Sequence, residues 1–335
     1  MLYSGLDLLK FFFAIVVIAI HTHPFYNYPC IESSRLYGMI CEGAVPFFFV
    51  CSGFFLGLKI YKQPSVSDQP ENIYTTEKAY LLRIAKLYLT WTMIYLPLAI
   101  YGFHLENYTW LHSAIVYVKQ IILVGENYCS WPLWYLLSTV YCALFLLLFH
   151  KKSIKTILLI GALIFIAGEL VTYHINHHEE GLITLIIGKT IGTGRLCKSF
   201  LYIPLGILFS RLNLKISPVI LIASLIASYV AFFFAGELLR SFVLIAFVTS
   251  LFLLVVNLRS SEKIYFILRK LSTYIYLTHM WVFFGITFVL YNELYYGLDV
   301  FFYTLAGSLA LSLLIVKLKE RNAKSAPKTH TQPPL

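Results

Sequence analysis

Hydrophobic residues in this chain fall into long blocks separated by short polar connections. The blocks lie at roughly 5–22, 42–60, 80–101, 133–150, 155–173, 199–210, 217–235, 239–257, 273–291 and 299–317. Most approach the length of about 20 residues that an apolar helix needs to cross a bilayer. The pattern predicts an all-α, polytopic integral membrane protein, a bundle of about ten transmembrane helices. The block at 199–210 is the shortest. Between the third and fourth blocks, Tyr108 to Val124 forms a short amphipathic stretch that lies in the interface or dips in without spanning. Residues 61–79 form a polar connection with Pro64 and Pro70. The chain divides into a transmembrane domain, 1–318, and a basic, Pro-rich tail, 319–335, expected to be disordered.

At 335 residues, length alone would suggest one large or two ordinary soluble domains. Composition overrides that: 59% of residues are hydrophobic, 13% are charged, and the mean hydropathy is +0.76. The first block is no cleaved leader, since Lys10 is its one basic residue, it has no small-residue cleavage site, and further spans follow. A net charge of +10 is explained by topology rather than by nucleic acid. Of 26 Lys and Arg residues, 19 fall on alternate connections together with the C-terminal tail, and six on the others. The positive-inside rule then places both termini in the cytoplasm of a cell, a bacterial plasma membrane being expected. Of six cysteines, Cys51 and Cys142 fall inside helices as packing residues, while Cys30 and Cys41 share an outer loop that permits a disulfide.

The chemistry concentrates first in Gly5 to His23, GLDLLKFFFAIVVIAIHTH. Lys10 and His21 are eleven residues apart, about three turns plus 20°, so they share one helix face, roughly 16 Å apart along the axis. Asp7 lies three residues before Lys10, in reach of an ion pair. A cation inside a membrane helix marks a functional site by default, although Lys10 snorkelling to one interface and His21 marking the other also fits. Ser52-Gly53 lies mid-helix, where small residues let another backbone approach. Arg83 and Lys86 share a face at the inner rim, suited to an anionic head group or to anionic lipid. Trp131, Trp134 and Tyr135 are aromatic-belt residues or the lining of a sugar or peptide site. His174 and His178 have the spacing of a zinc pair but read first as a solvated loop, and no metal is expected. That loop ends in Gly192-Thr193-Gly194-Arg195, a turn that presents a cation. Tyr276 and His279 lie three apart, with His279 about two turns from the inner side of its block. No P-loop, dinucleotide fingerprint or serine-hydrolase elbow occurs.

Taken together these motifs resemble the membrane-bound acyltransferase-3 family. Asp7-x-x-Lys10 followed by His21 is similar to its first-helix signature. Pro46 to Phe54, with aromatics before Ser52-Gly53, resembles its second-helix pattern. Arg83 and Lys86 fall where the family carries basic residues, and Ser272 to His279 resembles its late motif of Ser, Tyr and His. The resemblance spans nearly the whole chain. It implies a cytoplasmic acyl-coenzyme A co-substrate, acetyl-coenzyme A above all, and a cell-envelope acceptor such as a glycan. It also implies catalytic roles for His21, Lys10 and Asp7, and substrate contacts from Arg83, Lys86, Ser52, Trp134, Tyr135, Arg195, Tyr276 and His279. Within the family, Val45 to Phe49, Leu133-Trp134-Tyr135 and Gly192 to Arg195 look like the membrane domain of the serine racemases of vancomycin-resistance clusters, a domain linked to L-serine uptake. The chain departs from those racemases in showing no racemase-like sequence after residue 320. It departs from many acyltransferases in having Lys10 for Arg and no Pro before Tyr88. Acyl transfer and amino-acid transport both stay open, with membrane lipid the surrounding partner.

Overall fold

The computed structural model describes residues 3–61, 70–177, 194–212, 216–258 and 260–325. Helices occupy each of the ten apolar blocks. In order they are α1 (Ser4–Thr22), the short α2 (Pro29–Glu32), α3 (Arg35–Tyr61), α4 (Pro70–Leu105), α5 (Trp110–Lys119), α6 (Trp134–Leu148) and α7 (Ile154–His177). Then follow α8 (Lys198–Arg211), α9 (Pro218–Phe234), α10 (Glu237–Val256), α11 (Lys263–Tyr291) and α12 (Leu298–Ser325). Eight helices among the described residues are long and apolar enough to cross a membrane. The count of ten is not confirmed: α8, with 14 residues, and α9, with 17, rise only about 21 and 25 Å, against a hydrocarbon core of about 30 Å.

Several helices overrun their apolar blocks. α4 starts at Pro70 and α11 at Lys263, because amphipathic turns continue past the hydrocarbon boundary. His279 therefore lies 16 residues into its helix, about 24 Å, and not two turns from the inner side. α12 runs through Ser325, past the boundary drawn at 318, since Lys-Leu-Lys-Glu-Arg are strong helix formers. Residues 326–335 lie outside the described residues.

The inner end is taken as the end where α1 begins. There Ser4 Oγ donates to the Leu258 carbonyl at 3.0 Å, tying α1 to the end of α10. At the other end His23 adopts a left-handed conformation and its N–H caps the Ala19 carbonyl at 3.0 Å. α3 and α8 pack backbone to backbone through facing glycines. A Cβ on Gly53 would lie 1.9 Å from the Ile203 carbonyl oxygen, and one on Gly206 would lie 2.1 Å from that of Val50. The small-residue notch expected at Ser52-Gly53 is filled by a neighbouring main chain, as membrane bundles without a hydrophobic driving force between helices require. Around it Phe47, Phe54 and Phe209 ring Phe252, itself fully buried.

The stretch after α4 dips back without spanning. α5 continues into a π-helical turn, Gln120–Val124, and both run beside α4. Tyr88 Oη donates to the Ile121 carbonyl at 2.7 Å, Tyr117 Oη to that of Thr92 at 3.3 Å, and Tyr141 Oη to that of Ile122. The Tyr88 and Tyr141 hydroxyls thus satisfy main-chain carbonyls of the irregular turn, as irregular backbone at membrane depth demands, while Tyr117 ties α5 to α4. Residues 125–130 then connect to a 3₁₀ turn, Trp131–Leu133, that leads into α6. All six cysteines are free, Cys30 and Cys41 included.

Candidate functional site

Three charges meet at the inner end. Asp7 is fully buried, and the Arg269 guanidinium donates to both of its carboxylate oxygens, from Nε at 2.9 Å and Nη2 at 2.7 Å. Lys10 Nζ lies 3.3 Å from the same carboxylate, one helical turn on along α1. The ring of Phe55 sits under both cations, 5.2 Å from Lys10 Nζ and 5.9 Å from the Arg269 guanidinium carbon. A bidentate fork on a buried carboxylate is among the strongest polar contacts available to a side chain. It holds two cations that would otherwise be free to snorkel away.

Those two cations form the deep end of a cavity of about 980 Å³ between α1, α3, α4, α6, α11 and α12. Its mouth carries Lys59, Arg83, Lys86 and Lys319, none of which pairs with a carboxylate among the described residues. Among the described residues no Asp or Glu lines it. The upper wall holds Ser52, Tyr135 and Tyr276. Ser52 Oγ and Tyr135 Oη are hydrogen-bonded at 3.0 Å, and the Tyr135 and Tyr276 rings meet edge to face at 5.5 Å.

Above that wall lie two histidines. The His21 and His279 rings stack at 5.4 Å with 27° between their planes, and Trp131 stands 5.7 Å from His21. Tyr276 bridges the levels: its ring is 6.2 Å from His279, and its hydroxyl donates to the Pro132 carbonyl at 2.8 Å. His279 is 0% exposed, and its Nδ1 is 3.1 Å from the Ile275 carbonyl oxygen. α1 and α11 therefore run side by side with charge at their inner ends, and the His21 at the far end of α1 meets the His279 midway along α11. Beside them the connection after Val124 turns through Gly125 and Cys129, both at positive φ, and is closed by Asn127 N–H donating to Ser130 Oγ at 2.7 Å.

The structure gathers Asp7, Lys10, Ser52, Arg83, Lys86, Tyr135 and Tyr276 around one cavity, with His21 and His279 just beyond. Trp134 and Arg195 do not line it. They pair with each other, the guanidinium carbon 5.4 Å from the indole, while Arg195 bridges to Glu126. Residues 178–193, including His178, Gly192 and Thr193, lie outside the described residues. Sequence reasoning missed Arg269 as a site residue, and it read Trp131 as an aromatic-belt residue or the lining of a sugar or peptide site without placing it beside the histidines. One signal was available: Arg269 precedes His279 by ten residues, nearly the Lys10-to-His21 spacing, and a buried Asp7 calls for more than one cation.

Residues 3–317 match the family described as an acyltransferase domain. Among curated proteins, an amino-acid racemase of Enterococcus faecalis is 29% identical over 169 residues, which are 50% of this chain and 21% of the racemase. A second amino-acid racemase of Enterococcus faecalis is 28% identical over 128 residues, 38% of this chain and 17% of that protein. The chain thus spans about a fifth of the length of the curated relatives it matches. No solved structure matches.

Proposed function

We propose that this chain, which belongs to the acyltransferase family that it matches over residues 3–317, moves an acyl group from a cytoplasmic acyl-coenzyme A to a hydroxyl or amine of a cell-envelope acceptor. Acetyl is the acyl group we favour. The observation that carries the reading is the cavity. Its mouth cations, Lys59, Arg83, Lys86 and Lys319, suit the phosphates of a nucleotide-type donor, with no carboxylate among the described lining residues to oppose them. Lys10 and Arg269, fixed by Asp7, set a positive field further in, where a thioester carbonyl gains negative charge during attack.

The acceptor's nucleophilic atom attacks the thioester carbonyl carbon while His21 takes its proton. The tetrahedral intermediate collapses, the carbon–sulfur bond breaks, and the thiolate of coenzyme A leaves and is protonated. An imidazole suits that work because its ordinary pKa lies near operating pH. An extended donor arm covers the roughly 16 Å between the Lys10 and His21 levels. Ser52, Tyr135 and Tyr276 line its course, and Trp134 with Arg195 flank the acceptor's approach. The setting is a bacterial plasma membrane with both termini cytoplasmic, and the acceptor is a glycan or an amino acid.

A second reading, uptake of a small amino acid such as L-serine, is supported by the likeness to two amino-acid racemases and by the Arg195–Glu126 pair, whose opposite charges suit a zwitterion. One experiment separates the two. Purified protein in liposomes receives labelled acetyl-coenzyme A, and a parallel sample receives labelled L-serine. Donor consumption without serine flux supports acyl transfer. Serine flux with no donor consumption refutes it and leaves uptake in its place.

A further inference from the structure

His279 carries an unanswered hydrogen-bonding atom. Its Nδ1 faces the Ile275 carbonyl oxygen at 3.1 Å, and a carbonyl accepts only, so Nδ1 carries the proton in the neutral ring. Nε2 is then a bare acceptor. It is buried and has no partner among the described residues. Leaving such an atom unmet is costly, so a partner beyond the described residues meets it when the site is filled. Stacked on it at 5.4 Å is His21, whose described contacts are the His279 and Trp131 rings. Two imidazoles at that spacing are within reach of one small molecule. A single hydroxyl has one proton and can satisfy one of them only.

We propose that the histidine pair selects an acceptor bearing two adjacent donors, a vicinal diol or a vicinal amino alcohol. One hydroxyl or amine gives its proton to His21 and attacks the donor. The neighbouring donor hydrogen-bonds to His279 Nε2 and is not acylated in that orientation. His279 is thus a catalytic-site residue that positions the nucleophile without taking its proton. The chemistry rests on the acyl-transfer reading, but the binding geometry does not.

The test uses the full chain in lipid nanodiscs with isotope-labelled histidine, the His279 signals being assigned by their loss in His279→Gln. A vicinal cyclohexanediol and cyclohexanol, which differ by one hydroxyl, are the probes. We expect His279 Nε2 to be unprotonated, to shift on adding the diol, and to stay still with the mono-alcohol. Binding of the diol falls about tenfold in His279→Ala, the worth of one hydrogen bond, and is largely kept in His279→Gln, whose amide oxygen still accepts. A protonated Nε2, an equal shift with both probes, or no shift with either overturns the proposal, the last leaving a buried water as its partner. Acetyl-coenzyme A consumption is read in the same samples. A diol shift without consumption removes the acyl-transfer reading and leaves the pocket standing. Consumption without a diol-specific shift does the reverse.

Discussion

Replacing Arg269 tests the inner charge cluster most directly. In Arg269→Gln both hydrogen bonds to Asp7 go, at 2.9 and 2.7 Å, and a fully buried carboxylate is left with Lys10 alone at 3.3 Å. Removing one partner of a buried pair costs about 3–5 kcal/mol; because Lys10 remains, we expect about 3 kcal/mol, or roughly two powers of ten in the folding equilibrium. Asp7→Asn is the gentler change. It frees two cations whose side chains keep 16% and 34% exposure and border the cavity, where water can take the place of the acid. Its expected cost is about 1–2 kcal/mol, about one charge-assisted hydrogen bond. The double variant removes the stranded carboxylate as well, so it should be more stable than Arg269→Gln alone, by about 2 kcal/mol. Equilibrium unfolding in mixed micelles, followed by tryptophan fluorescence, measures all three. Additive effects within about 0.5 kcal/mol, or Asp7→Asn as the worse single change, would refute the account of a buried acid held by a half-exposed arginine.

Other consequences follow from the same contacts. Gly53→Ala should sharply reduce the yield of folded protein, because its Cβ would sit 1.9 Å from a main-chain oxygen, whereas Gly285→Ala, with nothing within 4 Å, should be tolerated; size-exclusion profiles of the two variants decide. The Arg83→Gln, Lys86→Gln double variant should raise the donor's KM more than it lowers kcat, and an unchanged KM assigns the pair to lipid instead. His21→Ala should lower acyl transfer about 10²- to 10⁴-fold while labelled coenzyme A still binds; full transfer by the variant removes His21 as the base. A cysteine placed at Ser65 should resist an impermeant thiol reagent on intact cells while exposed Cys30 reacts, and labelling at position 65 without permeabilisation would overturn the topology.

What local chemistry sets could be read along the chain. Run length placed helices at all ten apolar blocks, since a bilayer demands about 20 apolar residues whatever their neighbours. The 3.6-residue period put Lys10 and His21 on one face, and both border the histidine and charge clusters in the fold. The Asp7–Lys10 pair was legible for the same reason, being three residues apart. Arg269 was not. It meets Asp7 across 262 residues of chain, and nothing local selects that partner. Hydrophobic pattern gives no help in choosing, because lipid is as apolar as a protein core and a membrane helix need not show which side faces its neighbours. The same loss of directional information hid the stacking of His279 on His21, the seating of Ile203 in the Gly53 notch and the place of Trp131 beside the histidines. Boundaries failed where amphipathic turns carried α4, α11 and α12 beyond their apolar blocks, which moved His279 from the inner third of its span to the level of His21. Sequence alone determined which stretches form long apolar helices and on which face of its own helix each residue sits. Only the packing of helices remote in sequence decided which of those faces meet, and so which charges and imidazoles share a site.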